Sequence, residues 1–248
     1  MRRLAGKRVL LTRAEEDCAS WAAELRAAGL VPVTLPCIRC QIADSAEVGA
    51  QLAATLPEAD WLVFTSRRGV EAFARLTAGT GAARLPESLQ LAAVGPATAD
   101  AAQRLLGRVD LVAEAGTAAS LAQALVFTFE GSHAKVLLAL AENAAGVLED
   151  TLRPAGAVCT RIDVYRTVPA GERTPKQALS ALGADNIFLA SPTAVAGLMN
   201  QVELDTDAAI FTIGPSTSAA ARAAGLAVTA EATEPTLEGL MEAMRCAS

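Results

Sequence analysis

Tyr165, in Val164-Tyr165-Arg166-Thr167, is the only phenol in the chain. A phenol can act as a general acid and as a hydrogen-bond donor. Taken alone it reads first as a core or interfacial aromatic. Arg13, Arg67, Arg68 and Arg166 stand near the ends of apolar runs. A guanidinium there can hold a carboxylate bidentately, whereas one on a solvated surface contributes little. Hydroxyls gather in the same places: Thr12, Thr65-Ser66, Thr98, Ser191-Pro192-Thr193 and Ser216-Thr217. Each of them can simply cap a helix, worth about 1 kcal/mol. Two of these turns are built alike. Gly214-Pro215-Ser216-Thr217 follows the run from Ala208 to Ile213, and Gly95-Pro96-Ala97-Thr98 follows the run from Leu89 to Val94. Glycine is read here as permitting a tight turn, and proline fits a first helical turn where no N–H is needed. The N–H groups of that turn attract an anion. A matched pair of such turns points to two similar lobes with matching sites for an acidic ligand.

Other chemistries lack their residues. The chain contains no G-x-G-x-x-G, Walker A lysine, H-E-x-x-H or G-x-S-x-G, so dinucleotide, nucleoside triphosphate and metal chemistry are not expected. Cys37-Ile38-Arg39-Cys40 is formally C-x-x-C, but neither a helix start nor a second ligand pair accompanies it, and free thiols in an extended segment are expected. His133, the single histidine, stands in a loop without a Cys/His cluster. A net charge of −6 argues against nucleic acid, which needs a basic face. No run of about 18 apolar residues would span a membrane. The basic start leads only into Val9-Leu10-Leu11-Thr12, too short for a signal peptide, so a cytoplasmic location is expected.

The elements that must position these groups follow from the hydrophobic pattern. With 52% apolar and 19% charged residues the chain is globular, and much of the apolar share is alanine. Short apolar runs at 7–12, 30–35, 60–64, 89–94, 109–112 and 135–138 read as buried strands. Helices are predicted at 15–28, from Asp44 or Ser45 to Leu56, up to Leu76, from Gly95 to Leu106, and over 117–129. The pattern then restarts. Lys135-Val136-Leu137-Leu138 answers Arg8-Val9-Leu10-Leu11, Asp185 to Ser191 echoes Asp60 to Ser66, and Gly214-Pro215 echoes Gly95-Pro96. An internal duplication of alternating β/α units implies an α/β fold with two similar, doubly wound parallel sheets. Ligands in such sheets sit beyond the carboxyl ends of the strands, so a cleft between the lobes is the expected binding place.

In order and spacing the motifs resemble the uroporphyrinogen-III synthase family over almost the whole chain. They are Leu11-Thr12-Arg13 with the following helix and Gly29, Phe64-Thr65-Ser66-Arg67-Arg68-Gly69-Val70, Val94-Gly95-Pro96-Ala97-Thr98-Ala99, Val164-Tyr165-Arg166-Thr167, Ala190-Ser191-Pro192-Thr193-Ala194-Val195, Ile213-Gly214-Pro215-Ser216-Thr217 and Pro235-Thr236-Leu237. The resemblance implies a discontinuous first domain, 1–36 with 168–248, and a second domain, 41–161. Two extended connectors, about 36–41 and 161–169, join them, and Tyr165 on the second faces the cleft. It implies a cofactor-independent, metal-free lyase that cyclises hydroxymethylbilane to uroporphyrinogen III with inversion of ring D and loss of water. Tyr165 would assist departure of the hydroxyl. Thr12, Arg13, Thr65, Ser66, Arg67, Gly95, Thr98, Ser191, Gly214, Ser216, Thr217 and Thr236 would hold substrate. A monomer is expected, with no nucleic-acid or membrane partner. The chain departs from the family at Leu140 and Ala145, where relatives often carry arginines, and at Ala190, where threonine is common. Those departures keep open an alternative, a catalytically inactive module that binds a tetrapyrrole or another acidic small molecule.

Overall fold

The computed structural model describes residues 4–43, 45–78, 80, 84–129, 133–172 and 175–247. The chain opens with β1 (Arg8–Leu11), α1 (Glu15–Ala27), β2 (Val31–Thr34), β3 (Ile38–Ile42) and α2 (Ser45–Thr55). A 3-10 turn at Leu56–Glu58 leads to β4 (Trp61–Phe64) and α3 (Arg67–Thr77). There follow β5 (Gln90–Ala93), α4 (Pro96–Leu106), β6 (Leu111–Val112), α5 (Ala118–Phe129), β7 (Lys135–Ala141), α6 (Val147–Leu152) and β8 (Val158–Pro169). The remainder is β9 (Gln177–Ala178), α7 (Leu179–Leu182), β10 (Asn186–Leu189), α8 (Pro192–Gln201), β11 (Val202–Glu203), β12 (Ala209–Thr212), α9 (Pro215–Ala223), β13 (Val228–Glu231) and α10 (Leu237–Ala247). Asp44, one of the two caps expected for α2, lies outside the described residues.

Contacts divide the chain into two compact units, Met1–Arg39 with Val168–Ser248, and Cys40–Thr167. The first holds a five-stranded sheet of order β13-β12-β10-β1-β2, with every pair parallel. The second holds a six-stranded sheet of order β3-β8-β7-β4-β5-β6, parallel from β8 through β6. The duplication is visible in these orders, because β1 and β10 occupy in one sheet the places of β7 and β4 in the other. Each sheet is covered on both faces. In β4, Trp61 and Val63 join one core cluster while Leu62 and Phe64 join another. In β10, Phe188 faces one cluster, and Ile187 and Leu189 the other. Strands buried on both sides read as continuous apolar runs, which is why they stand out in the sequence.

The segments that the resemblance implies as extended connectors, about 36–41 and 161–169, fall largely in the strands β3 and β8. β8 pairs with β7 from Val158 to Tyr165, and β3 forms the sheet edge beyond it. Their half-buried, mixed compositions hide the pairing from a pattern search for buried strands. Local signals agree elsewhere. α1 carries Glu15, Glu16 and Asp17 in its first turn and Arg26 in its last, as the helix dipole favours. Gly29, at φ +81°, ends it, with Leu30 N–H returning to the Leu25 carbonyl.

Among the described residues no disulfide joins the cysteines. Cys37 is fully buried, and its Sγ–H donates to the Leu35 carbonyl at 3.3 Å. Burial pushes its pKa up to about 12, opposite to what a redox nucleophile requires. A folded-state value above the ordinary thiol value means that this group's stability contribution is present below pH 9 and fades toward pH 12, as only the unfolded chain ionises. Titration with an aromatic disulfide at pH 8 should therefore label exposed Cys246 first and leave Cys37 unmodified until the protein unfolds. Fast labelling of Cys37 in the folded protein would contradict this assignment.

Candidate functional site

Ser66 leaves β4 in extended conformation and caps α3, accepting the Gly69 N–H at 2.9 Å. The same Oγ lies 2.9 Å from the Tyr165 phenol oxygen, with either group able to donate. Two residues 99 apart in sequence thus form one hydroxyl pair at the positive end of a helix.

A bulge aims Tyr165 at this place. Leu140 aligns with Asp163, but the next residue, Ala141, aligns with Tyr165, leaving Val164 as an extra residue in β8. Without that insertion, strand alternation would put Tyr165 on the face of Arg161 and Asp163. With it, Ile162, Val164 and Tyr165 share one core cluster, and Tyr165 is 8% exposed. A pocket of about 460 Å³ is lined by Gln41, Ile42, Ala43, Glu142, Asp163, Tyr165 and Arg166. Arg166 Nε donates to Gln41 Oε1 at 3.3 Å.

Arg161 organises the neighbouring loop. Its Nη2 donates to the carbonyls of Ala141 (2.8 Å) and Glu142 (3.1 Å), and Nη1 to that of Ala144 (3.0 Å). Nε pairs with Asp163 at 2.7 Å, and Nη1 also reaches buried Glu149 at 3.2 Å. Leu140 lies in the core at 1% exposure, and Ala145 is exposed. The loop between β7 and α6 is therefore held from β8 by Arg161.

The other predicted site residues divide between roles. In the second unit, half-buried Thr65 follows β4, and Arg67 pairs with Glu71 on its own helix at 3.6 Å. Gly95 starts α4, and Thr98 is buried. In the first unit, the buried Thr12 hydroxyl donates to the Phe188 carbonyl at 2.7 Å and ties β1 to β10. The Arg13 guanidinium lies 4.3 Å from the centre of a Trp21 ring and pairs with Asp17 at 3.4 Å. Ser191 caps α8 by accepting the Ala194 N–H at 3.1 Å, and Thr236 caps α10 through Gly239 at 3.0 Å. Ser216 is exposed, and Thr217 is buried. Since the strands are parallel, each set lies at the carboxyl edge of its own sheet. Neither Gly-Pro helix start draws on glycine's conformational freedom. Gly95 (φ 176°) and Gly214 (φ 171°) are fully extended, so neither makes a left-handed turn. Around Gly214 a Cβ would meet nothing within 4 Å.

Glu142 and Asp163 escape a search by motif. Glu142 is visible in the sequence only as the repeat partner of Glu15, and Asp163 only as part of an extended segment. Among the described residues no group of three or more His, Cys, Asp or Glu side chains is arranged to hold a metal ion. Among the described residues no helix is long and apolar enough to cross a membrane either.

A family model described as "Uroporphyrinogen-III synthase HemD" matches residues 19–242. The chain belongs to the uroporphyrinogen-III synthase family. Members of that family are cyclising lyases of tetrapyrrole biosynthesis. A uroporphyrinogen-III synthase of Synechococcus elongatus is 28% identical, over 97% of this chain and 95% of that protein. A porphyrin biosynthesis protein HemD of Ruminiclostridium josui is 26% identical over 88% of this chain, which spans 44% of that longer protein. Two solved structures share the family fold. The uroporphyrinogen-III synthetase of Helicobacter pylori 26695 has a TM-score of 0.63 at 15% identity, covering 98% of this chain and 100% of that one. A mutant uroporphyrinogen III synthase of the extremely thermophilic bacterium Thermus thermophilus has a TM-score of 0.55 at 18% identity, covering 98% of each chain.

Proposed function

We propose that this protein closes hydroxymethylbilane into uroporphyrinogen III, inverting ring D and releasing water, with Tyr165 as the general acid. The observation that carries the assignment of the acid is the Tyr165–Ser66 hydroxyl pair, whose tyrosine lines the pocket. Cleavage of the hydroxymethyl C–O bond sends its electron pair to oxygen. The Tyr165 proton completes the departing water, while the pyrrole nitrogen lone pair leaves an azafulvenium cation. Tyr165 is then a phenolate. Ser66 can donate its O–H to that oxygen while still accepting from Gly69, and the amino end of α3 adds favourable potential. Attack by ring D, rearrangement through a spiro intermediate and loss of a ring proton restore aromaticity, and the phenolate recovers its proton. The bilane is a flexible polycarboxylate, so bringing its ends together is largely a positioning problem. The helix starts at Gly95 and Gly214 suit carboxylates, and Arg166 supplies a cation at the pocket.

The whole chain, supplied with hydroxymethylbilane and no added metal or cofactor, is expected to consume it at a rate proportional to protein concentration. Consumption at the protein-free rate would overturn the reading and favour a binding module.

A further inference from the structure

The pocket beside Tyr165 carries two carboxylates, Glu142 and Asp163. That is unfavourable for holding a polycarboxylate, because like charges repel in a partly desolvated site. Asp163 is offset by Arg161 at 2.7 Å. Arg161 meets Glu142 differently, through the backbone carbonyl at 3.1 Å, and no ion pair to the Glu142 side chain occurs among the described residues. The Glu142 N–H donates to the Tyr165 carbonyl at 2.8 Å, which ties the two backbones together, and both residues line the same pocket. With the hydrogen bonds to Ala141 and Ala144, Arg161 fixes the chain on both sides of Glu142.

We infer that Glu142 is a further catalytic residue, the counter-charge to the azafulvenium cation, and that Arg161 is its positioning residue. The inference rests on the synthase reading. Before C–O cleavage the reacting carbon is neutral and Glu142 only repels the substrate's acidic arms. After cleavage a full positive charge is delocalised over the pyrrole and methylene carbon, and the carboxylate stabilises it. Glu142 neither gains nor loses a proton in this step; the Tyr165 proton leaves in the water. An interaction absent from the ground state and present at the transition state raises kcat without lowering KM. A carboxylate here can therefore slow binding and still speed the reaction.

The test is steady-state kinetics of Glu142→Gln beside the unmodified protein. Turnover is expected to fall roughly 10- to 100-fold, with KM for hydroxymethylbilane unchanged or lowered. Glu142 is exposed, so the variant should fold and melt normally. Glu142→Asp is expected to recover part of the turnover. Arg161→Lys cannot reach three carbonyls and two carboxylates at once, and should show the same split, lower kcat at unchanged KM, in smaller measure. Unchanged kcat in Glu142→Gln, with or without a lower KM, would overturn the inference while leaving the synthase reading intact. Higher KM at unchanged kcat would make Glu142 a binding group and overturn it as well. An inactive unmodified protein would overturn both readings.

Discussion

Replacing Tyr165 by phenylalanine is expected to lower turnover of hydroxymethylbilane at least about 100-fold, with little change in KM. The phenol proton is assigned to the departing hydroxyl, and without it water must leave as hydroxide or borrow a proton from solvent. The change removes one oxygen and keeps the ring that packs with Ile162 and Val164. Ser66 retains its bond from Gly69, so no buried hydroxyl is stranded and stability should move by no more than about 1 kcal/mol. Ser66→Ala gives a second reading of the same pair. It removes the cap of α3, costing about 1 kcal/mol, and withdraws one donor from the developing phenolate. Its turnover should fall less than that of Tyr165→Phe, because the acid itself remains. Full turnover in Tyr165→Phe would remove the phenol from the chemistry and leave it a packing residue.

The largest stability effect is expected at Gly197, inside α8. A Cβ there would lie 1.7 Å from the carbonyl oxygen of Cys37 and 2.6 Å from its carbon. The neighbour is backbone, and it is held in place: the Cys37 carbonyl accepts the Ala170 N–H at 2.8 Å, and Gln201 Nε2 donates to the Pro36 carbonyl at 3.0 Å. Alanine would normally favour a helix, so the sign of the effect is set by the clash. Gly197→Ala should cost roughly 3 kcal/mol, the upper part of the range for overpacked cores, and lower the melting temperature by about 6–12 °C. Gly214→Ala is the control. Its backbone is extended and its surroundings are open, so melting should shift by no more than about 1 kcal/mol equivalent. An unchanged melting temperature for Gly197→Ala would mean that α8 and the Cys37 segment can separate freely.

The strands β1, β4, β5, β7, β10 and β12 can be read from the sequence because both of their faces are buried, which leaves nearly unbroken apolar runs. The class, the parallel sheets and the duplication follow from those runs and the helices between them. Position within the site is less legible. Tyr165 stands out by type, yet its partner Ser66 is joined to it only through the fold. The bulge that turns Tyr165 toward the core leaves no mark in periodicity, since β8 alternates normally up to Val164. The Gly-Pro turns are recognisable as helix starts, but the extended glycines do not supply the tight turn expected of them. Gly197 is silent, because a glycine in a helix shows its purpose only when the backbone facing it is known. Glu142 carries no signal of its own, because a lone acidic residue after a strand usually marks only the start of a helix.

The most direct measurement supplies the protein with freshly generated hydroxymethylbilane, oxidises the products and separates the isomers. The predicted result is uroporphyrinogen III in excess, in an amount that rises with protein concentration at the expense of type I. Type I alone, formed at the rate seen without protein, would contradict the account.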